Sequence, residues 1–182
     1  VDSAPSTYGV VEWDAGTGTH TVAVNNGSVA IAPDTQDSVT ISTLKAVDSA
    51  VNTGPSATVT TATLDGQSSA IFGKSPATLT LNGGSDAQIQ SGAATTLAIT
   101  RGQVVWQGGN ITTLTVSPTS SISFDEDKAA ITVTNTTLHY NGTLLDGNKR
   151  VTYTNGIDLY ECGIEEVTLQ LGKHFTVTPS AI

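Results

Sequence analysis

Thr78-Leu79-Thr80-Leu81, Thr96-Leu97-Ala98-Ile99 and Thr113-Leu114-Thr115-Val116 are three copies of one pattern: a threonine, an apolar residue, a small residue and a second apolar residue. Their first apolar residues fall at 79, 97 and 114, so the pattern returns after 18 and then 17 residues. Working outward, close variants stand at Ser38-Val39-Thr40-Ile41, Thr58-Val59-Thr60, Ala130-Ile131-Thr132-Val133, Arg150-Val151-Thr152-Tyr153 and Glu166-Val167-Thr168-Leu169. The first apolar positions 39, 59, 79, 97, 114, 131, 151 and 167 are spaced by 16 to 20 residues, which is more regular than an ordinary Thr-rich sandwich requires. A second series runs in step through Ala70-Ile71-Phe72, Gln88-Ile89-Gln90, Val104-Val105-Trp106, Ile122-Ser123-Phe124 and Leu138-His139-Tyr140. Turn signals such as Asn82-Gly83-Gly84, Gly108-Gly109 and Asn141-Gly142 separate the two series.

A unit this short cannot bury both faces of its strands alone, whereas stacked copies place each apolar residue above its counterpart. The sequence therefore predicts an all-β chain folded as a short right-handed parallel β-helix, a β-solenoid of about eight coils of 16 to 20 residues. A β-sandwich is the alternative. Alternation predicts Leu79, Leu81, Leu97, Ile99, Leu114, Val116, Ile131 and Val133 inside and Thr80, Ala98, Thr115 and Thr132 outside. Trp106 and Phe124 fit either side. Residues 1–37 read as an N-terminal cap or docking segment, and residues 38–182 as the solenoid with a C-terminal closing strand.

Composition narrows the function classes. Across 182 residues, seven Lys+Arg stand against sixteen Asp+Glu, a net charge of −9, and no basic run exists; a nucleic-acid partner is not expected. Roughly a quarter of the positions are Ser or Thr, a β-favouring composition. Apolar residues come in short alternating runs, none long enough for a membrane-spanning helix, and no membrane partner is expected. A single cysteine, Cys162, excludes an internal disulfide and a paired-cysteine metal site.

Catalysis finds little support. Asp125-Glu126-Asp127 and Glu161, Glu165 and Glu166 are local clusters in turn-like stretches, not acids aligned over successive coils, and the only arginines are Arg101 and Arg150. Asp125 to Asp127 also lacks the glycine-bracketed spacing of a calcium loop. His20, His139 and His174 have no ligand partners at metal-binding spacing. The expectation is a protein that is not an enzyme and takes no cofactor or metal. One surface feature has chemical meaning: Thr-x-Thr pairs, with Thr60, Thr80, Thr115, Thr132 and Thr152 as the surface ladder, would form hydroxyl-and-methyl ranks like those of ice-binding solenoids.

From Gln103 to Thr178 the chain carries Gln103-Val104-Val105-Trp106-Gln107-Gly108-Gly109-Asn110-Ile111-Thr112-Thr113-Leu114-Thr115-Val116, then Ile131-Thr132-Val133-Thr134-Asn135-Thr136-Thr137-Leu138. Val151-Thr152-Tyr153-Thr154-Asn155-Gly156-Ile157-Asp158-Leu159, Cys162-Gly163 and Glu166-Val167-Thr168-Leu169 follow. This part of the chain resembles small repeat-rich proteins of tailed bacteriophages, the decoration (cement) or spike proteins of the capsid exterior. The resemblance implies a structural virion protein on the outside of the head, bound to the major capsid protein, with no catalysis. Tyr8, Val10, Val11 and Trp13 are the expected docking residues, because aromatics are scarce in this chain and serve well as interface anchors. Capsid symmetry would suit a homotrimer. An ice-binding solenoid and a carbohydrate-binding adhesin are the alternative functions.

Overall fold

A computed structural model describes residues 10–13, 18–34, 38–124, 129–147, 150–160 and 169–170. It is a parallel β-solenoid of about seven turns, the fold class that the in-step repeat predicts. Its strands, in chain order, are β1 (Val10–Trp13), β2 (Thr19–Asn25), β3 (Ser28–Ile31), β4 (Val39–Val47), β5 (Ala50–Thr53) and β6 (Ala57–Asp65). Next come β7 (Ser69–Phe72), β8 (Thr78–Leu81), β9 (Ser85–Ile89), β10 (Ala94–Ile99), β11 (Gly102–Trp106) and β12 (Ile111–Val116). The last are β13 (Ser121–Phe124), β14 (Ile131–His139), β15 (Thr143–Leu145), β16 (Val151–Tyr153), β17 (Asp158–Tyr160) and β18 (Leu169–Gln170).

Odd-numbered strands from β1 to β15, continued by β18, form one sheet, and even-numbered strands from β2 to β16 form the other, with β17 beside β14. Every pairing is parallel, as expected when each strand meets its equivalent one turn later. Pairing already includes β1, β2 and β3, so the stack begins inside residues 1–37.

The long strands explain the cross-section. In β4, β6 and β14, inside and outside alternate except at Ser42-Thr43, Thr60-Thr61 and Thr134-Asn135, where two successive residues face outward. That slip in phase turns the strand through a corner, so each long strand has a first and a second leg. Thr95-Thr96 of β10 and Thr112-Thr113 of β12 make the same slip.

The core is a set of columns. Leu44, Ala62, Leu79, Leu97 and Leu114 stack on the second leg, followed two places along by Ala46, Leu64, Leu81, Ile99, Val116 and Leu138. The odd sheet contributes Ile31, Thr53, Phe72, Ile89, Trp106 and Phe124. All are buried, and each fully buried large aliphatic side chain contributes roughly 1.5–3 kcal/mol. Leu79, Leu81, Leu97, Ile99, Leu114, Val116, Ile131 and Val133 lie inside, and Thr80, Ala98, Thr115 and Thr132 on the outer side, as alternation predicts. Trp106 and Phe124 belong to the core, and the Trp106 indole N–H donates to the Gly109 carbonyl at 2.9 Å.

Two details of the repeat differ from the sequence reading. Val59 pairs with Ile41 on the first leg, whereas Leu79 pairs with Ala62 on the second, so the simple series mixes two columns. Leu138-His139-Tyr140 is not a member of the second series: Leu138 and His139 end β14 on the even sheet, and the rung above Ile122 is supplied by Leu144.

Turns from the even to the odd sheet repeat a buried serine. The hydroxyl of Ser49 donates to Val47 O at 2.6 Å, that of Ser68 to Asp65 O at 2.7 Å and that of Ser85 to Asn82 O at 2.8 Å, closing each turn over its own carbonyl. Near the C-terminal rungs, Tyr153 pairs with Val133 and its hydroxyl is buried without a hydrogen-bond partner. Burial, with the Asp146 carboxylate beside it, pushes the Tyr153 phenol well above its ordinary range. The folded chain therefore keeps this proton at pH values where the unfolded chain has released it, above about 10, and stability falls as pH rises through that point. Tyr153→Phe should remove the dependence: in urea unfolding, its advantage over the parent chain is expected to grow above about pH 10 and to stay constant below about pH 9. An advantage that does not change with pH would count against this account.

Candidate functional site

Three surfaces present ordered side chains. On the even sheet, Thr21, Thr43, Thr61, Thr78, Thr96 and Thr113 occupy one outward column over six successive strands. Asn135 continues it, and its side-chain oxygen accepts from the Asn155 amide at 2.7 Å. A second column runs through Lys45, Thr63, Thr80, Ala98, Thr115 and Thr137. Spacing along it is about 4.8 Å, with about 7 Å between columns. Thr-x-Thr pairs are complete at Thr61/Thr63, Thr78/Thr80 and Thr113/Thr115; Ala98 breaks the rank, and Lys45 pairs with Asp65 at 3.5 Å at its margin. Most of these threonines are half-buried.

The expected ladder does not form one rank. Thr80 and Thr115 share a column through Ala98. Thr132 pairs with Thr152 on the first leg, and Thr60 sits at the corner of β6. The column from Thr21 to Thr113 lies on the second leg, whereas the motif copies at Ser38 to Ile41 and Thr58 to Thr60 lie on the first, so only the register reveals it.

A shallow trough of about 570 Å³ lies along the outer face of the odd sheet, from β3 to β11. Its lining includes Ala30, Asn52, Ile71, Asp86, Gln88 and Val105. Ile71 and Val105 are 40% and 43% exposed, unusual for large aliphatic side chains in strands. They stand in one column, Ile71 to Gln88 to Val105, two rungs apart.

The third surface surrounds Arg150, which is 5% exposed. Its guanidinium donates to Trp106 O at 3.0 Å, to Gly108 O at 2.6 Å and, through Nε, to Ala129 O. Asp146 accepts from the backbone N–H groups of Arg150 and Val151 at 2.8 and 3.0 Å. This arrangement ties successive rungs together at a corner. It is built for cohesion, with the fork of donors turned toward the protein's own carbonyls.

Of the expected docking residues, Tyr8 lies outside the described residues, and Val10, Val11 and Trp13 lie on β1. Among the described residues β1 pairs only with β3, Val10 opposite Ser28 and Trp13 opposite Ile31, so it is the terminal strand of its sheet. Asp125 to Asp127, Glu161, Cys162, Glu165, Glu166 and His174 also lie outside the described residues. Among the described residues, no three His, Cys, Asp or Glu side chains stand close enough to share a metal ion. His139 packs edge-on against the ring of Tyr160, with centroids 5.0 Å apart. Comparison with known protein families, curated proteins and solved structures gives no match for this chain.

Proposed function

We propose that the chain is a structural protein of the tailed-phage virion, placed on the outside of the head and bound to the major capsid protein. The observation that carries the reading is the position of β1. As the terminal strand of its sheet among the described residues, it would offer one edge of main-chain donors and acceptors to a partner, and a capsid strand added there would gain backbone hydrogen bonds without a preformed pocket. The resemblance over Gln103 to Thr178 supports the same role, and its described part builds the rungs from β11 to β18. A stack of parallel rungs with continuous core columns is also a stiff body, suited to reinforcing a shell. In this reading Trp13, with Tyr8, Val10 and Val11, anchors the attachment, and copies gather as a trimer on a symmetry axis.

Density-gradient separation of native material, followed by mass spectrometry of the fractions, tests it. The protein is expected to travel at fixed stoichiometry with particles containing a major capsid protein. A Trp13→Ala chain that keeps the parent's melting temperature is expected to stay at the top of the gradient. Parent protein found only as a free species would overturn the reading; thermal hysteresis would then assign the threonine columns to ice, and binding to a glycan panel would assign the chain to the adhesins.

A further inference from the structure

The charge of the chain is unevenly spread along its sequence. Residues 1–37 hold Asp2, Glu12, Asp14, Asp34 and Asp37 with no Lys or Arg, whereas residues 38–124 balance Asp48, Asp65 and Asp86 against Lys45, Lys74 and Arg101. The net −9 thus belongs to the two end segments, −5 in residues 1–37 and −4 in residues 125–182, and the middle rungs are neutral.

Over those neutral rungs the odd sheet presents two outward columns, Ala50-Ser69-Asp86-Gln103-Ser121 and Asn52-Ile71-Gln88-Val105-Ser123. Asp86 is their single charge. Here also lie the trough and the two exposed aliphatic side chains of the middle rungs, Ile71 and Val105. The even sheet has hydroxyls, Lys45 and Asp65 in the equivalent places.

We propose that this face of the odd sheet, centred on Ile71 and Val105, is where two copies of the chain meet. The charge pattern selects the occupant. A different protein is free to be basic and would be drawn most strongly to the acidic ends, but a second copy carries the same −9 and must approach where carboxylates are scarce. Among the described residues, end-to-end stacking would bring together the exposed carboxylates Asp34 and Asp158, while side-by-side contact through the middle rungs opposes faces whose single charge is Asp86. Ile71 and Val105 supply the apolar centre, and Asn52, Gln88 and Gln103 a polar rim able to exchange hydrogen bonds. A face two side chains wide and five rungs long covers roughly 300 Å² per copy, at the weak end of specific interfaces, so association is expected in the micromolar range or above. The proposal stands apart from the capsid reading, because it concerns the isolated protein.

Sedimentation equilibrium of the full chain, from roughly 1 μM to 1 mM, measures it directly. The expected result is a reversible, concentration-dependent rise above monomer mass. Ile71→Glu/Val105→Glu should weaken that association at least about tenfold, since it adds two carboxylates per copy to the contact, while Thr96→Glu on the even sheet should leave it unchanged. Should the double variant lose the parent's melting temperature, Ile71→Ser/Val105→Ser replaces it with the same expectation. A parent chain that stays monomeric throughout, or a folded double variant that associates as the parent does, would overturn the proposal.

Discussion

Gly102→Ala is expected to cost about 3–5 kcal/mol of stability, from backbone strain and a clash that nothing nearby can relieve. Gly102 opens β11 at a φ of +143°, and a Cβ built there would lie 1.9 Å from the carbonyl oxygen of Ser85 and 2.9 Å from its carbon. The obstacle is backbone, held in place because Gly102 and Ser85 are partners in the sheet and Ser85 closes the preceding turn through Asn82 O. To admit a methyl group the two rungs must separate, which also disturbs the column beneath Val104 and Trp106. Gly84→Ala is the fitting control: its φ is +99°, yet a Cβ there meets nothing within 4 Å, so only the strain of about 1–3 kcal/mol applies. Urea unfolding of both variants separates the contributions. Equal losses would mean that close approach of the rungs contributes nothing.

Arg150→Met is expected to cost about 3–5 kcal/mol, because buried carbonyls lose a charged donor at about 1–3 kcal/mol each. The change removes three donors at once, to the carbonyls of Trp106, Gly108 and Ala129, and methionine can fill the space but cannot replace them. Arg150→Lys should recover only part of the loss, since an ammonium cannot present the same planar fork. Denaturant unfolding of both variants tests this. A methionine variant within about 1 kcal/mol of the parent would show that these carbonyls are satisfied as well by other means.

The repeat was legible because the chain marks each rung with the same alternation, and the residues assigned inside from Leu79 to Val133 are inside. Register was not legible, and the reason is geometric. Each long strand turns a corner, so the Thr-apolar-Thr motif occurs on both legs; Val39 and Val59 belong to the first leg, Leu79, Leu97 and Leu114 to the second, and Ile131 and Val151 to the first again. Local sequence does not say on which side of the corner a copy falls. The offset from Ile111 to Val133 is 22 residues, against 17 from Ala94 to Ile111.

The same limit applies to the surfaces. Ala70-Ile71-Phe72 and Val104-Val105-Trp106 are apolar at three successive places, so alternation cannot tell which residue faces out; Phe72 and Trp106 win the interior by stacking on Ile89. The sequence shows Arg150 only as one of two arginines and as the first residue of a motif copy, because its acceptors lie 21 to 44 residues away. Thr136 illustrates the opposite case. It occupies a core place above Leu114, buried with no partner for its hydroxyl, where the motif would lead one to expect an outward threonine.

The parallel register has a consequence for how such a chain can change size. Because each strand pairs with its equivalents one rung below and one rung above, length is a count of modules, and removing residues 97–113 would bring Leu114 into the place of Leu97, with Arg150 meeting the carbonyls of an earlier rung in place of Trp106 and Gly108. The molecule would be shorter by about 4.8 Å, the graduation of a ruler cut in whole divisions.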